Sequence, residues 1–343
     1  YQGGIKEGIV AYNDHSFYST GYTALFNCYS FMTENLVYKY FPDRVRSVID
    51  FLIQLSGFAY DNCSEIRQTK DEADMNIKEQ ERFILAWELD PSESEKLLFK
   101  GYEYTRPEAT EGTRARGYYD HDKPWTDTIP YFSSYDPVLT VDKPSAYIIP
   151  QAWSIVADKL SGNMVSLYRL TGDTVLEVEN YYIENAEPSR RSNQGHHVNQ
   201  NVEVRLEKQS MSYYKGDYLI ITNQRSNKYI VEMLEPHAPN SFFAWNYFDA
   251  VLESQDFYSV RSFESLLMEL LAEDEELSEA FEKKKSEDES FASDRNAQLM
   301  FLYRRSPMYE IAKYNSLYPV ARFTGDPADI NMEPADQFEA DTR

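Results

Sequence analysis

The chain has 343 residues, 42% hydrophobic and 15% aromatic, with a formal net charge of −23 and a pI near 4.6. That length predicts two or three domains of roughly 100–200 residues, each with enough apolar mass to bury a core. The acidity argues against a nucleic-acid partner, which needs clustered Lys and Arg, and against docking on an anionic membrane; no run of about 18 apolar residues reads as a membrane span.

In chain order, residues 1–33 read as loop and then strand. The opening Tyr1-Gln-Gly-Gly carries no initiator Met and no signal-peptide pattern, and reads as a piece of a longer polypeptide. The apolar run Ala24–Met32 predicts a buried strand that delivers Glu34 at its C-terminal end, just before a helix. Open α/β sheets put their chemistry at that place. The competing reading is a carboxylate that merely caps the helix opened by Pro42. Val45, Val48, Ile49, Leu52, Ile53 and Leu55 predict that helix over 42–58. A second helix follows over 62–81, with Ile66, Ala73 and Ile77 on one stripe.

The pattern then changes to strands. Arg82–Leu89 and Lys96–Tyr104 flank an Asp90-Pro91 turn and read as a hairpin. Residues 105–130 are polar and rich in Pro and Gly, which predicts a long surface loop. Further short strands are expected at 138–141, 146–149, 165–170, 174–183, 202–206 and 218–222, with a short helix over 151–160. Residues 82–225 thus read as a β-rich domain, sandwich-like or barrel-like. Residues 226–323 read as mainly helical, with an acidic amphipathic helix over 262–285 and another helix over 290–304. The aromatic-dense Ser241–Asp249 reads as packing. Residues 324–343 read as a disordered acidic tail.

Few residues carry recognisable chemistry. The histidines are His15, His121, His196, His197 and His237, and no H-E-x-x-H or H-x-x-E pairs any of them with a ligand partner. His196-His197 fall in a polar loop and read as surface residues; Asp120-His121-Asp122 has metal-like composition in an equally polar stretch. The sequence offers no zinc site of its own. No nucleophile elbow, Walker loop or G-x-G-x-x-G is present. Cys28 and Cys63 form one disulfide or remain two free buried thiols. Glu34 is the remaining carrier of chemistry.

Tyr18-Ser-Thr-Gly-Tyr-Thr-Ala-Leu-Phe26, then Phe31-Met-Thr-Glu34 and Phe41-Pro-Asp-Arg-Val45, resembles the C-terminal part of the zinc carboxypeptidase (funnelin) catalytic domain. The likeness is strongest to large exported members of Bacteroidetes-type bacteria. Phe83–Leu89, Ala146–Trp153, Lys215–Tyr218, Leu234–Ser241, Phe243–Asp249 and Tyr303–Tyr309 are similar, in the same order, to the accessory region of those proteins. The resemblance implies an α/β fold with an added all-β domain. Residues 1–81 would be the C-terminal part of a mixed-sheet catalytic domain, 82–225 a β-rich accessory domain, 226–323 a helical region packing on it, and 324–343 the tail.

It also implies a metallopeptidase that cleaves C-terminal residues from peptides. Glu34 would be its general base, taking a proton from a zinc-bound water and passing it to the leaving amine. Burial would raise the carboxyl pKa towards the working range. Tyr12, or else Tyr18, would contact the substrate's terminal carboxylate, and the loop 15–22, with Ser19 and Tyr22, would line the side-chain pocket. The zinc cofactor's ligands would lie upstream, in an N-terminal part of the same polypeptide, and the location would be periplasmic or at the cell surface of a Gram-negative bacterium. Asn35–Tyr40 departs from the His-Met-Leu-Lys-Pro-Tyr run of the nearest relatives. The alternative reading is a non-catalytic peptide- or glycan-binding scaffold, in which the aromatic-rich β domain does the recognition.

Overall fold

The structure is a computed structural model and describes residues 5–105, 117–253, 263, 270–272, 274–306 and 316–338. It opens with β1 (Ile9–Val10), α1 (Ser19–Ala24), α2 (Phe41–Asp61) and α3 (Cys63–Glu79). Strands β2 (Arg82–Leu89), β3 (Glu95–Thr105), β4 (Tyr118–Phe132), β5 (Tyr135–Asp142) and β6 (Ala146–Ile149) follow. Then come α4 (Ser154–Gly162), β7 (Tyr168–Leu170), β8 (Thr174–Pro188), β9 (Asn199–Tyr213), β10 (Tyr218–Ile221) and α5 (Asn227–Leu234). The C-terminal third holds α6 (Glu275–Glu287), α7 (Glu289–Ser293), α8 (Arg295–Tyr303), β11 (Ser316–Phe323) and β12 (Met332–Pro334). Helices thus combine with mixed and antiparallel sheets.

The chain forms two compact units, each assembled from separated stretches: Tyr1–Ser145 with Leu160–Ser166 and Ile221–Asn240, and Ala146–Lys159 with Leu167–Ile220 and Ser241–Arg343. The first unit has residues on both sides of the sequence divisions expected at 82 and 226 and the second on both sides of 226, and strands of the expected β-rich region contribute to both.

In the first unit, β1, β4 and β3 form a three-stranded sheet, with β1 parallel to β4 and β3 antiparallel to it. β2 pairs with β5 instead, so the hairpin expected between 82–89 and 96–104 is not formed. Residues 118–130, expected as surface loop, belong to a fifteen-residue strand, Tyr118–Phe132. Pro and charged residues make that segment look like loop, yet cross-strand pairs hold it in register. Tyr104 meets Tyr119, Phe99 meets Trp125 and Tyr102 meets His121, with ring centroids 4.5–5.6 Å apart. Such pairs are the unit of sheet stabilisation, and Pro124 lies beside the register shift at Tyr102/Glu103, where a missing N–H is tolerated. Residues 106–116 of the expected loop lie outside the described residues.

In the second unit seven strands form one sheet in the order β12-β7-β10-β6-β11-β8-β9. All four residues of the central β6 are buried, as are most of β10 and β11; β6 and β10 therefore read as unbroken apolar runs rather than alternating ones. β12 pairs with β7 at one edge of this sheet, so Met332–Pro334 is ordered structure where the sequence predicts a disordered tail; residues 339–343 lie outside the described residues. Helices α6, α7 and α8 start on Asp274, Asp288 and Asp294, whose carboxylates accept from Leu277, Phe291 and Asn296/Ala297 N–H groups. This is N-capping, which fills orphan donors of the first turn. Phe281, Phe291, Leu299 and Leu302 close a small core among them. The expected helix over 262–285 is described only from 270 onward apart from Phe263. The Tyr303–Tyr309 anchor extends beyond the described residues at 307. Among the described residues no helix is long and apolar enough to cross a membrane.

Candidate functional site

Local structure around Glu34 departs from the expected strand. Residues 19–24 are helix, 25–27 a turn, and 28–36 have no regular structure. Of the apolar run only Leu25 is buried, whereas Tyr29, Phe31 and Met32 are exposed. Glu34 is exposed too. The expected buried carboxylate at a strand end is therefore not formed here: the buried Gly21 and Leu25 are spaced on a helical period, and the chain after α1 forms no strand up to Glu34.

The preceding loop is built tightly. Gly21 sits in α1, where a Cβ would overlap the backbone carbonyl oxygens of Asp14 and His15. No other residue allows that approach, which is the physical reason for glycine in Tyr18-Ser-Thr-Gly-Tyr22. The Thr20 hydroxyl donates to the Asp14 carboxylate, and the Tyr18 N–H donates to the His15 carbonyl at 2.9 Å.

This geometry brings Tyr12 and Tyr18 together. Their ring centroids are 5.3 Å apart, edge to face, and His15 and Phe17 also lie against Tyr18. The hydrogen bond to Tyr18 pushes the Tyr12 hydroxyl pKa up to about 12, with burial and nearby charge adding to it. Burial lowers the His15 pKa against the opposing pull of Asp14. Tyr22 faces elsewhere: its ring packs on Phe26 and Tyr229, and its hydroxyl donates to Asn163. Burial raises its pKa. The Ser19 carbonyl accepts from the Thr23 hydroxyl at 3.0 Å. So Tyr12 and Tyr18 form one cluster, Ser19 and Tyr22 sit on the helix beside it, and Glu34 lies further along on the irregular segment.

Residues far away in sequence fix this loop. The Ser16 hydroxyl donates to Glu232 on α5. Asn240 bonds the His15 ring at 3.2 Å, and the Tyr229 ring lies 5.2 Å from Phe26. Burial raises the Glu232 pKa, with the Ser16 hydrogen bond and Lys228 pulling the other way. From α3, Lys70 donates to the Phe26 carbonyl and to Asp74, which also accepts from Asn27; all three distances are 3.0 Å. Burial alone would raise the Asp74 pKa, but the Asn27 and Lys70 hydrogen bonds outweigh it and hold it below the usual range. Asn227, fully buried, donates to the Ile77 and Thr222 carbonyls and accepts from the Gln224 N–H, joining α3 to α5. Sequence reading places Ser16 within the loop 15–22 but misses Glu232; the one signal is a carboxylate inside the apolar run Tyr229–Leu234.

Among the described residues no group of three or more His, Cys, Asp or Glu side chains could hold a metal ion, so the side chains described here do not fit zinc. His196 and His197 are exposed, as expected, bonded to Asn246 and to the Ser189 carbonyl. His121 lies exposed on β4. Cys28 and Cys63 are free thiols, exposed where the sequence predicts a disulfide or burial, because neither the segment around Cys28 nor the start of α3 is covered at these positions. Comparison with protein-family models, with curated proteins and with solved structures gives no match.

Proposed function

We propose that this chain is the C-terminal portion of a zinc-dependent metallocarboxypeptidase-like hydrolase that removes C-terminal residues from peptides. Glu34 is the general base, and the Tyr12–Tyr18 pair meets the substrate's terminal carboxylate. Zinc enters this reading only as an ion held by residues outside this chain. The exported location belongs to the same proposal.

The observation that carries it is the apolar surface around and after Phe31-Met-Thr-Glu34. Phe31 is 63% exposed, and on α2 Ile53, Phe58 and Tyr60 are 61%, 63% and 82% exposed. No residue of this 21-residue helix is buried. Exposed apolar faces of that extent mark surfaces that another body covers. A missing layer of the same catalytic domain accounts for it, and would bury Glu34 at the same time.

The test uses the protein expressed together with the segment encoded upstream. Zinc content and release of C-terminal residues from peptides are measured. Glu34→Gln is expected to retain the metal and the fold while kcat falls by about 10²-fold or more, the usual cost of losing a general base. Undiminished activity in Glu34→Gln would overturn the assignment. A non-catalytic peptide-binding scaffold is the second reading, favoured by an apolar cavity in the second unit.

A further inference from the structure

That cavity has a volume of about 380 Å³, at the small end of the roughly 300–1,000 Å³ of ligand sites. It opens where the sheet is interrupted. The register of β11 against β8 shifts between Leu317 and Ala321, so Tyr318-Pro319 bulges away from the ladder. Bulges of this kind recur beside functional sites. Pro150, Met211, Leu317 and Pro319 form apolar walls.

The buried Asn180 and Asp217 side chains that line the cavity are engaged within the protein, beside Ser212 and Tyr214, which also line it. Asn180, 2% exposed, accepts from Gln209 at 3.2 Å and is hydrogen-bonded to the Tyr213 hydroxyl. Asp217, 3% exposed, accepts from the Gln151 N–H at 3.0 Å and the Tyr214 N–H at 2.8 Å. Gln151 donates to the Lys215 carbonyl at 3.2 Å. Gly216 takes φ +95° in that turn. Beside it the Arg169 guanidinium lies 3.6 Å from the Tyr218 ring centroid and 5.3 Å from that of Phe338. One carboxylate thus braces both sides of the mouth, and the cavity is preformed.

We propose that this cavity is a binding site for an apolar side chain, Leu- or Phe-sized, of an extended peptide. Sugar recognition needs donors and acceptors free to reach hydroxyls, and here Asn180 and Asp217 are already engaged. The site also adjoins the end of β9, the last strand of the sheet. Glu203, Arg205, Glu207 and Lys208 charge the middle of β9, and the charge stops at Gln209, leaving an uncharged stretch, Gln209–Tyr213, along which extended backbone can lie. Met211 supplies an adaptable wall. The site is independent of Glu34 and of the peptidase assignment.

The test follows the methyl NMR signals of Met211 and Leu317 in the full chain. The added probes are acetyl-Ser-Thr-Thr-Leu-Thr-Thr-Ser-amide, its Phe analogue and its all-polar Ser analogue. Saturable shifts with the Leu and Phe peptides, and none with the Ser peptide, are expected. Ala152→Trp, at the exposed rim, should weaken binding at least about tenfold without changing the thermal midpoint; Met211→Ser should weaken it likewise. Shifts from maltohexaose in place of the peptides, equal shifts from all three peptides, or none at millimolar peptide would overturn the proposal.

Discussion

Helix α2 in the first unit and strand β6 in the second are both rich in apolar residues, yet α2 buries none of its residues and β6 buries all four. The difference teaches that apolar content fixes what a segment can bury, while the partner decides whether it does. β6 has β10 and β11 on either side of it. The face of α2 carrying Val45, Ile49, Ile53 and Tyr60 stands open, and it follows the segment that bears Glu34.

The largest expected break of this contrast is in the closed region. Phe248 is fully buried and stacks on Trp153 and Tyr318, at 4.9 and 5.0 Å. Phe248→Ala should cost about 3–5 kcal/mol in chemical denaturation; a loss under about 1 kcal/mol would show that this core is loosely packed. Next comes the anchor of the tyrosine loop. Glu232→Ala leaves the Ser16 hydroxyl without its acceptor and should cost about 1–3 kcal/mol.

Glu232→Gln separates charge from packing. Burial raises the Glu232 pKa, so the folded state holds this proton more tightly than the unfolded chain does. The stability it contributes is complete below the unfolded carboxylate range and is lost as pH rises through the folded pKa. Glu232→Gln should therefore gain on wild type in thermal midpoint as the pH rises from the unfolded carboxylate range through the raised folded pKa. A gap that stays constant with pH would mean the carboxylate is not desolvated.

The smallest effect belongs to the open face. Ile53→Ser should change stability by no more than about 0.5 kcal/mol while reducing self-association in analytical ultracentrifugation. A cost above about 2 kcal/mol would mean that α2 is covered within the chain itself.

Sequence periodicity locates much of this framework. The helix expected over 42–58 runs Phe41–Asp61, and the strands expected at 174–183 and 218–222 are present as β8 and β10. What periodicity leaves out is partnership. β4 looks like loop because Asp120, Asp122, Lys123 and Pro124 are poor strand formers, and only pairing with β3 overrides that. Ala24–Met32 looks like a strand because it is apolar, but among its residues only Leu25 is buried. In the candidate site the tyrosines are legible from the Tyr18–Tyr22 motif. Glu232 is not, because the hydrogen bond from Ser16 spans 216 positions.

That separation has a consequence in time. A ribosome adds about 5–20 residues per second, so after Ser16 is made roughly 10–40 s pass before Glu232 exists to receive it. Throughout that interval Tyr12, Tyr18 and the uncovered face of α2 are synthesised and exposed without their anchor. The loop that carries the proposed substrate contacts thus waits for an anchor made 216 residues later.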